Sequence, residues 1–201
     1  MVNEVPEVRC AGGGPPHWLV RCLRALERDA RLDAPAARLA HAVDMSMPPH
    51  VIEALRGRWA GHSIHPILTD IPIGAWTGAN ILDLVGGRRS RAAATGFLVL
   101  GLVSAVPTIA SGLAEWRSAT GATRRVGVVH AGLNGAAVCV YGGSLAARLC
   151  GRHGIGVTLG LMGTTVATAA GYLGGHLATV HRFGTVDPAV SVPPPRVGRC
   201  P

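Results

Sequence analysis

Three histidines stand near the ends of long apolar stretches, and their side chains are the ones in this sequence best suited to chemistry: His65, His130 and His176. Neutral imidazole is a common ligand of haem iron and of transition metals, and a nearby carboxylate or amide can hold the ring in place. The same ring can also relay protons near neutral pH. Three further polar residues share these stretches: Asp70, Glu115 and Asn134.

The apolar stretches that carry these residues have the length of membrane-spanning helices. A hydrocarbon core about 30 Å thick takes about 20 helical residues to cross. Four stretches reach that length with almost no polar face: 66–85, 92–114, 126–149 and 155–178. Only 15% of the residues are charged, whereas soluble domains carry about a quarter. The sequence therefore predicts an all-α integral membrane protein, with a four-helix bundle in domain 63–182.

Four spans bring several of these polar residues to one side of the membrane. The first and third spans start on that side, and the second and fourth end there. One layer therefore contains His65, Glu115, His130 and His176. Asp70 lies about one turn into the first span, and Asn134 lies one turn beyond His130, where its amide could orient the ring. His62 and His181 lie nearer the wet interface and are expected to be exposed there.

This layer predicts one cofactor site at the end of the bundle where both termini lie. Ionisable groups inside a membrane are costly and usually face the bundle interior as paired or functional residues. The expected cofactor is one haem b or one transition metal. Its candidate ligands are His65, His130 and His176, with His65 as the alternative to the other two. For a metal, Asp70 would add a carboxylate oxygen, and Glu115 and Asn134 would support the ligands.

The same layer is compatible with two different roles. The polar groups could form a structural network in a non-catalytic membrane scaffold or anchor. They could also move protons or ions, which would require Asp70 and Asp83 of the first span to lie inside the bundle. We expect Asp83 instead to form an ion pair with Arg88 or Arg89 at the opposite membrane surface.

The two ends of the chain differ from the membrane block. Domain 1–62 is arginine-rich and contains short amphipathic helical patterns, which predict helices at the membrane surface or on the end of the bundle. Residues 183–201 form a proline-rich tail. The net charge of +8 is explained by attraction to anionic lipid headgroups, so no nucleic-acid partner is expected. We expect a bacterial cytoplasmic membrane location with both termini in the cytoplasm.

Rows of small residues predict how the last two spans pack. Gly127, Ala131, Gly135, Cys139, Gly143 and Ala147 recur at four-residue spacing in the third span. Gly163, Ala167, Gly171 and Gly175 do so in the fourth. Small residues let membrane helices approach closely, so these rows favour tight packing of the third span on the fourth. A flat face for a planar cofactor is the alternative, and a homo-oligomer is also compatible with the pattern.

Four strings of the sequence resemble a known family. They are GHSIHPILTDIPIGAWTGANILDL, ASGLAEW, RRVGVVHAGLN and GYLGGHL, and together they are similar to the bacterial membrane domain called domain of unknown function 2231, over residues 17–190. The resemblance implies a redox setting, because many relatives are fused to, or encoded beside, a Rieske-type [2Fe–2S] protein. This chain lacks the paired Cys-His motifs of such a cluster, so a Rieske-type partner would be a separate chain.

These observations favour an electron-transfer or anchoring subunit over a stand-alone enzyme. The sequence has no nucleophile elbow, phosphate loop or dinucleotide fingerprint. Its five cysteines show no disulfide or zinc-finger spacing. The leading hypothesis is a membrane-embedded redox subunit that passes electrons between a soluble iron–sulfur partner and the membrane.

Overall fold

The computed structural model describes residues 17–184, and this part of the chain is helical without any strand. Three short helices come first: α1 (Trp18–Arg28), α2 (Asp33–Ser46) and α3 (Pro49–Leu55). Four long helices follow: α4 (His65–Val85), α5 (Arg91–Trp116), α6 (Gly121–Leu149) and α7 (His153–Thr179). The predicted all-α fold is confirmed. The proline-rich tail lies almost wholly outside the described residues.

The short N-terminal helices pack on the end of the long ones. On α1, Leu23 is buried against α6 and α7, and on α2, Ala36 and Ala40 are buried against Trp116. The polar sides of these helices form ion pairs with the bundle. Arg125 donates two hydrogen bonds of 2.7 Å to the Asp33 carboxylate, so an apolar face and surface charges together hold the N-terminal segment on this end.

Three helical segments of the described part are long and apolar enough to cross a membrane: Arg88–Trp116, Gly121–Leu149 and His153–Thr179. The protein is therefore a membrane protein by the length and composition of its helices. Helix α4 has 21 residues but is not one of these three. A total of four membrane spans thus stays a prediction. Helix α4 nevertheless packs along α5 in the same way that α6 packs along α7.

The close packing of α6 on α7 is confirmed, but the predicted rows of small residues are only partly responsible for it. Gly135 and Cys139 of the α6 row are exposed, and a Cβ at Gly171 or Gly175 of α7 would meet open space. Among the glycines of the predicted α7 row only Gly163 makes a close approach. The other close approaches on α7 occur at Gly156, Gly160 and Gly174, and at all four positions an added Cβ would lie 2.6–3.0 Å from neighbouring atoms. The contact face of α7 therefore follows alternating four- and three-residue spacing, typical of left-handed helix pairs.

The hairpin α4–α5 is repeated by the hairpin α6–α7. Three residues of α4 each have a counterpart on α6 that lies 65 residues later in the chain. The pairs are His65 and His130, Trp76 and Tyr141, and Asp83 and Arg148. Two glycines of α5 have counterparts on α7 62 residues later: Gly101 and Gly163, Gly112 and Gly174. The contacts of the first two pairs repeat as well, because His65 and Trp76 lie against Gly112 and Gly101, and His130 and Tyr141 lie against Gly174 and Gly163.

Equivalent side chains of the two hairpins meet where the hairpins contact each other. Trp76 and Tyr141 stack with ring centroids 4.2 Å apart and an interplanar angle of 17°, and Asp83 forms an ion pair with Arg148. The hairpins are thus parallel repeats around an axis along the helices, an arrangement that many membrane proteins built from repeats share.

Candidate metal centre

Three potential metal ligands converge at the end of the bundle where α1 packs on α7. Glu27 Oε1 lies 2.9 Å from His176 Nε2 and 3.0 Å from His181 Nε2. All three ligand atoms lie within 4.8 Å of one another, and no other such group of histidine, cysteine or acidic residues occurs in residues 17–184. The three side chains are largely buried, with exposed fractions of 11–23%.

Each ligand of this cluster is positioned by a different piece of structure. Glu27 is held on α1 by the burial of Leu23 one helical turn earlier. His176 lies in the last turn of α7, and His181 follows where the chain turns back, with its ring centroid 5.1 Å from that of His176. Thr123 Oγ1 lies 3.1 Å from His181 Nδ1, so the opposite side of that ring is held by α6.

The electrostatics of the cluster favour an ionised carboxylate. Hydrogen bonds from His176, and then from His181, hold the pKa of Glu27 below its usual value, although partial burial acts in the opposite direction. An anionic oxygen with two imidazole nitrogens is a ligand set that suits Zn²⁺ and Fe²⁺. At metal–ligand bonds of about 2.0–2.1 Å, neighbouring ligand atoms lie about 3.0–3.4 Å apart. The observed 2.9 and 3.0 Å are also hydrogen-bond distances, so either protons or a metal could join these atoms.

Comparison with known proteins identifies the membrane part of the chain. Residues 61–187, more than half of the sequence, match the family model described as Predicted membrane protein (DUF2231). The chain belongs to this family. No curated protein and no solved structure matches the chain. His176 and His181 lie inside the DUF2231 match, whereas Glu27 lies in the N-terminal segment before it, so the cluster joins the family domain to a segment outside the match.

Only one of the three histidines predicted as ligands belongs to the cluster. His176 is a member, whereas His65 and His130 each interact separately with a neighbouring helix. His65 Nδ1 donates to the Thr108 carbonyl at 2.9 Å, and His130 Nδ1 donates to the Ala170 carbonyl at 2.8 Å. The described residues thus do not bring His65, His130 and His176 to one point, and a ligand role for His65 and His130 stays a prediction.

The two predicted supporting residues, Asn134 and Glu115, and the predicted metal ligand Asp70 also lie apart from the cluster. Asn134 lies one turn from His130, and its amide is 3.1 Å from the ring Nε2, as the spacing suggested. Glu115 accepts a hydrogen bond of 2.9 Å from Ser63 and does not touch the cluster. Asp70 is exposed on α4 and has no ion-pair partner in the part of the chain that the structure describes.

The internal repeat separates two kinds of histidine in this DUF2231 domain. His65 and His130 are equivalent, and both lock a hairpin by donating to a backbone carbonyl of the partner helix. His176 and His181 are not repeated, because alanines, Ala114 and Ala119, stand 62 residues before them. A feature shared by both repeats is explained by packing, whereas one that occurs in a single repeat indicates a separate role.

Sequence reasoning missed two members of the cluster. Glu27 was not singled out, because its role depends on how α1 packs on α7. His181 was expected to be exposed at the interface, but only 17% of its side chain is exposed. The 65-residue repeat was the available signal, since it would have set His176 apart from His65 and His130.

A buried ion pair lies at the opposite end of the bundle and corrects the expected role of Asp83. Its carboxylate accepts two hydrogen bonds from Arg148 of α6 rather than pairing with Arg88 or Arg89. The two side chains are 0% and 2% exposed, and His153 Nε2 lies 3.5 Å from Asp83. Arg148 on the second hairpin reaches the Asp83 carboxylate because the two residues occupy equivalent positions in the two repeats, and such positions face each other.

Proposed function

We propose that this DUF2231 protein is a membrane-embedded, redox-associated subunit that holds one transition-metal ion between Glu27, His176 and His181. The observation that supports this function is the convergence of three ligand atoms of suitable type within 4.8 Å. The site lies at the end of the bundle, where a soluble partner can reach it. The electron-transfer role rests on the family resemblance to proteins associated with Rieske-type partners.

Iron is the metal that fits this proposal best. Two histidines and one carboxylate on one face of an ion are typical of non-haem Fe(II) sites and leave other coordination positions open. Zinc would fit the same ligands but cannot change its oxidation state. An iron ion in this site could exchange electrons with a Rieske-type iron–sulfur protein supplied as a separate chain.

Haem b is the second candidate cofactor, and it would use His65 and His130. A carbonyl oxygen only accepts hydrogen bonds, so the Nδ1 atoms that contact Thr108 and Ala170 carry the protons. Each neutral ring would then have its lone pair on Nε2, the nitrogen that would bind iron, and at His130 the iron would have to displace the Asn134 amide, which lies 3.1 Å from that atom. Both rings, however, lie against glycines of the neighbouring helix, Gly112 and Gly174, which favours a packing role.

The proposed topology has four spans, with α4 as the first. Its 21 residues would rise about 31 Å at 1.5 Å per residue, which matches a hydrocarbon core of about 30 Å. Its outward side chains include Ile67, Ile71, Ile73 and Ile81, all exposed, as expected for contact with lipid. Both termini would then lie on one side, and we propose the cytoplasmic side of a bacterial inner membrane.

Metal content and the visible spectrum of the full chain, purified in a mild detergent, test this function. We expect about one iron per chain and no Soret band. A Soret band with two histidine ligands would support the haem candidate instead. A colourless protein without stoichiometric metal would contradict both, and it would favour the alternative of a non-catalytic membrane scaffold whose polar layer is structural.

A further inference from the structure

A cavity of about 300 Å³ lies beside the cluster, at the end of the bundle. Ligand pockets of small molecules begin at about this size. Three of the residues that line it are arginines from two separate parts of the chain: Arg56 and Arg58 after α3, and Arg182 after α7. Ser118 and His62 also line it, so most of its polar wall consists of basic and hydroxyl side chains.

The charges around this arginine pocket do not cancel. Arg56 and Arg58 share one carboxylate, that of Glu53, at 3.3 and 3.4 Å. Glu115 also lines the pocket, but its carboxylate accepts a hydrogen bond from Ser63. Arg182 has no carboxylate within 4.0 Å among residues 17–184. Three guanidinium groups thus face two carboxylates, which leaves an excess positive charge around a cavity large enough for a small anion.

The backbone at Arg182 supports a role in binding. Its φ is +49°, the one left-handed value at a residue other than glycine in the described part of the chain. A residue other than glycine adopts such a conformation only where the surrounding structure requires it, as is often the case at binding sites. Here it places an arginine in the wall of the pocket immediately after His181.

We propose that the arginine pocket binds a phosphate group, either free or in the headgroup of an anionic lipid. Guanidinium groups form paired, charge-assisted hydrogen bonds with phosphate oxygens, and several arginines around one cavity are typical of such sites. The pocket lies at the end of helices that cross the membrane, where lipid headgroups lie. His181 lines this pocket and also belongs to the metal cluster, but binding of the anion by the arginines does not require a metal.

Two measurements on the purified full chain distinguish free phosphate from lipid. Equilibrium dialysis in detergent with radiolabelled inorganic phosphate measures the free anion. Native mass spectrometry after exchange into phosphatidylglycerol or phosphatidylcholine measures bound lipid. We expect saturable one-to-one binding of phosphate, or retention of one phosphatidylglycerol in preference to phosphatidylcholine. The absence of both would overturn the proposal.

Arg182→Gln is the informative variant, and Arg38→Gln is its control. Arg38 lies on the exposed side of α2, outside the pocket, so its substitution removes the same charge from the same end of the molecule. Loss of a charge-assisted contact should weaken binding by about tenfold or more in Arg182→Gln, with no change in Arg38→Gln. Equal weakening of both variants would show general attraction to positive charge and contradict a defined site.

Two further variants keep the result interpretable. Arg58 is 63% exposed, so Arg58→Gln should fold even if Arg182→Gln does not, and it should also weaken binding. Glu27→Gln should lose the metal yet keep phosphate binding, so failure of the metal proposal is distinguishable from failure of this one. Phosphate binding that disappears in Glu27→Gln would indicate that the anion binds the metal, and it would contradict a separate pocket.

Discussion

Asp83→Asn should be the most destabilising single change of a charged residue in the bundle. Its carboxylate is fully buried and accepts both hydrogen bonds from a guanidinium that is 2% exposed. Asparagine keeps the shape but accepts only one of these bonds and leaves the charge of Arg148 uncompensated. Removal of one partner of a buried pair costs about 3–5 kcal/mol. We therefore expect a loss of that size in the free energy of unfolding.

Reversible unfolding in mixed detergent micelles, followed by circular dichroism, measures this loss. Asp70→Asn is the matched control, because Asp70 lies on the same helix but is exposed, and we expect a change within about 0.5 kcal/mol. The double variant Asp83→Leu/Arg148→Met removes both charges with similar volume and should recover most of the stability. A loss below about 1 kcal/mol in Asp83→Asn, or a double variant as unstable as the sum of its parts, would refute the reasoning.

Two further predictions concern helix packing and pH. Gly174→Ala should destabilise the protein by about 1–3 kcal/mol, because its Cβ would lie 2.9 Å from His130 Cε1. Gly175→Ala is the control and should be tolerated, because a Cβ there would meet open space. Equal effects of the two variants on thermal unfolding would contradict the packing of the repeated histidine against a glycine of the partner helix. The lowered pKa of Glu27 stabilises α1 on the bundle above the ordinary value of 4.5, and this contribution is lost as the pH falls through the lower folded-state value. The protection factors of the α1 amides in hydrogen exchange should therefore fall in acid, and this fall should be absent in Glu27→Gln, where protection should already be low.

Much of the fold could be predicted from local sequence. An apolar stretch of about 20 residues predicts a membrane-spanning helix whichever helices pack against it. The predicted starts and ends of the long helices therefore lie within about five residues of the observed ones. The amphipathic pattern of α1, with Leu23 on its apolar face, also predicted packing on a surface. These features depend on the chemistry of each segment alone and not on its neighbours.

The faces of the helices were harder to predict. Glycines recur so often in α6 and α7 that two rows of small residues run along each helix, and spacing alone cannot tell which row faces its partner. The predicted α6 row contains the exposed Gly135. Of the glycines in the predicted α7 row only Gly163 lies close to a neighbouring helix, whereas Gly156, outside that row, also does. The choice depends on large side chains of other helices, such as Tyr141 against Gly163, which a single segment does not contain.

The candidate site was also harder to predict than the helices, because it depends on contacts between distant parts of the chain. The layer of histidines followed from counting spans, and His176 was correctly placed at the end of the bundle. The cluster also needs Glu27, which is 149 residues earlier in the chain and reaches His176 only because α1 packs across that end. Asp83 was likewise assigned to its sequence neighbours Arg88 and Arg89, whereas its partner comes from the second repeat.

Anaerobic Fe(II) titration of the metal-free wild type and of Glu27→Gln, followed by equilibrium dialysis, tests the metal site most directly. His153→Ala is the control, since His153 also lies beside a carboxylate, 3.5 Å from Asp83, but at the other end of the bundle. We predict one iron per chain in the wild type and in His153→Ala, and an affinity at least about 100-fold lower in Glu27→Gln, since even indirect partners of a metal contribute 10–100-fold. Equal iron affinity in Glu27→Gln and the wild type would contradict the metal site.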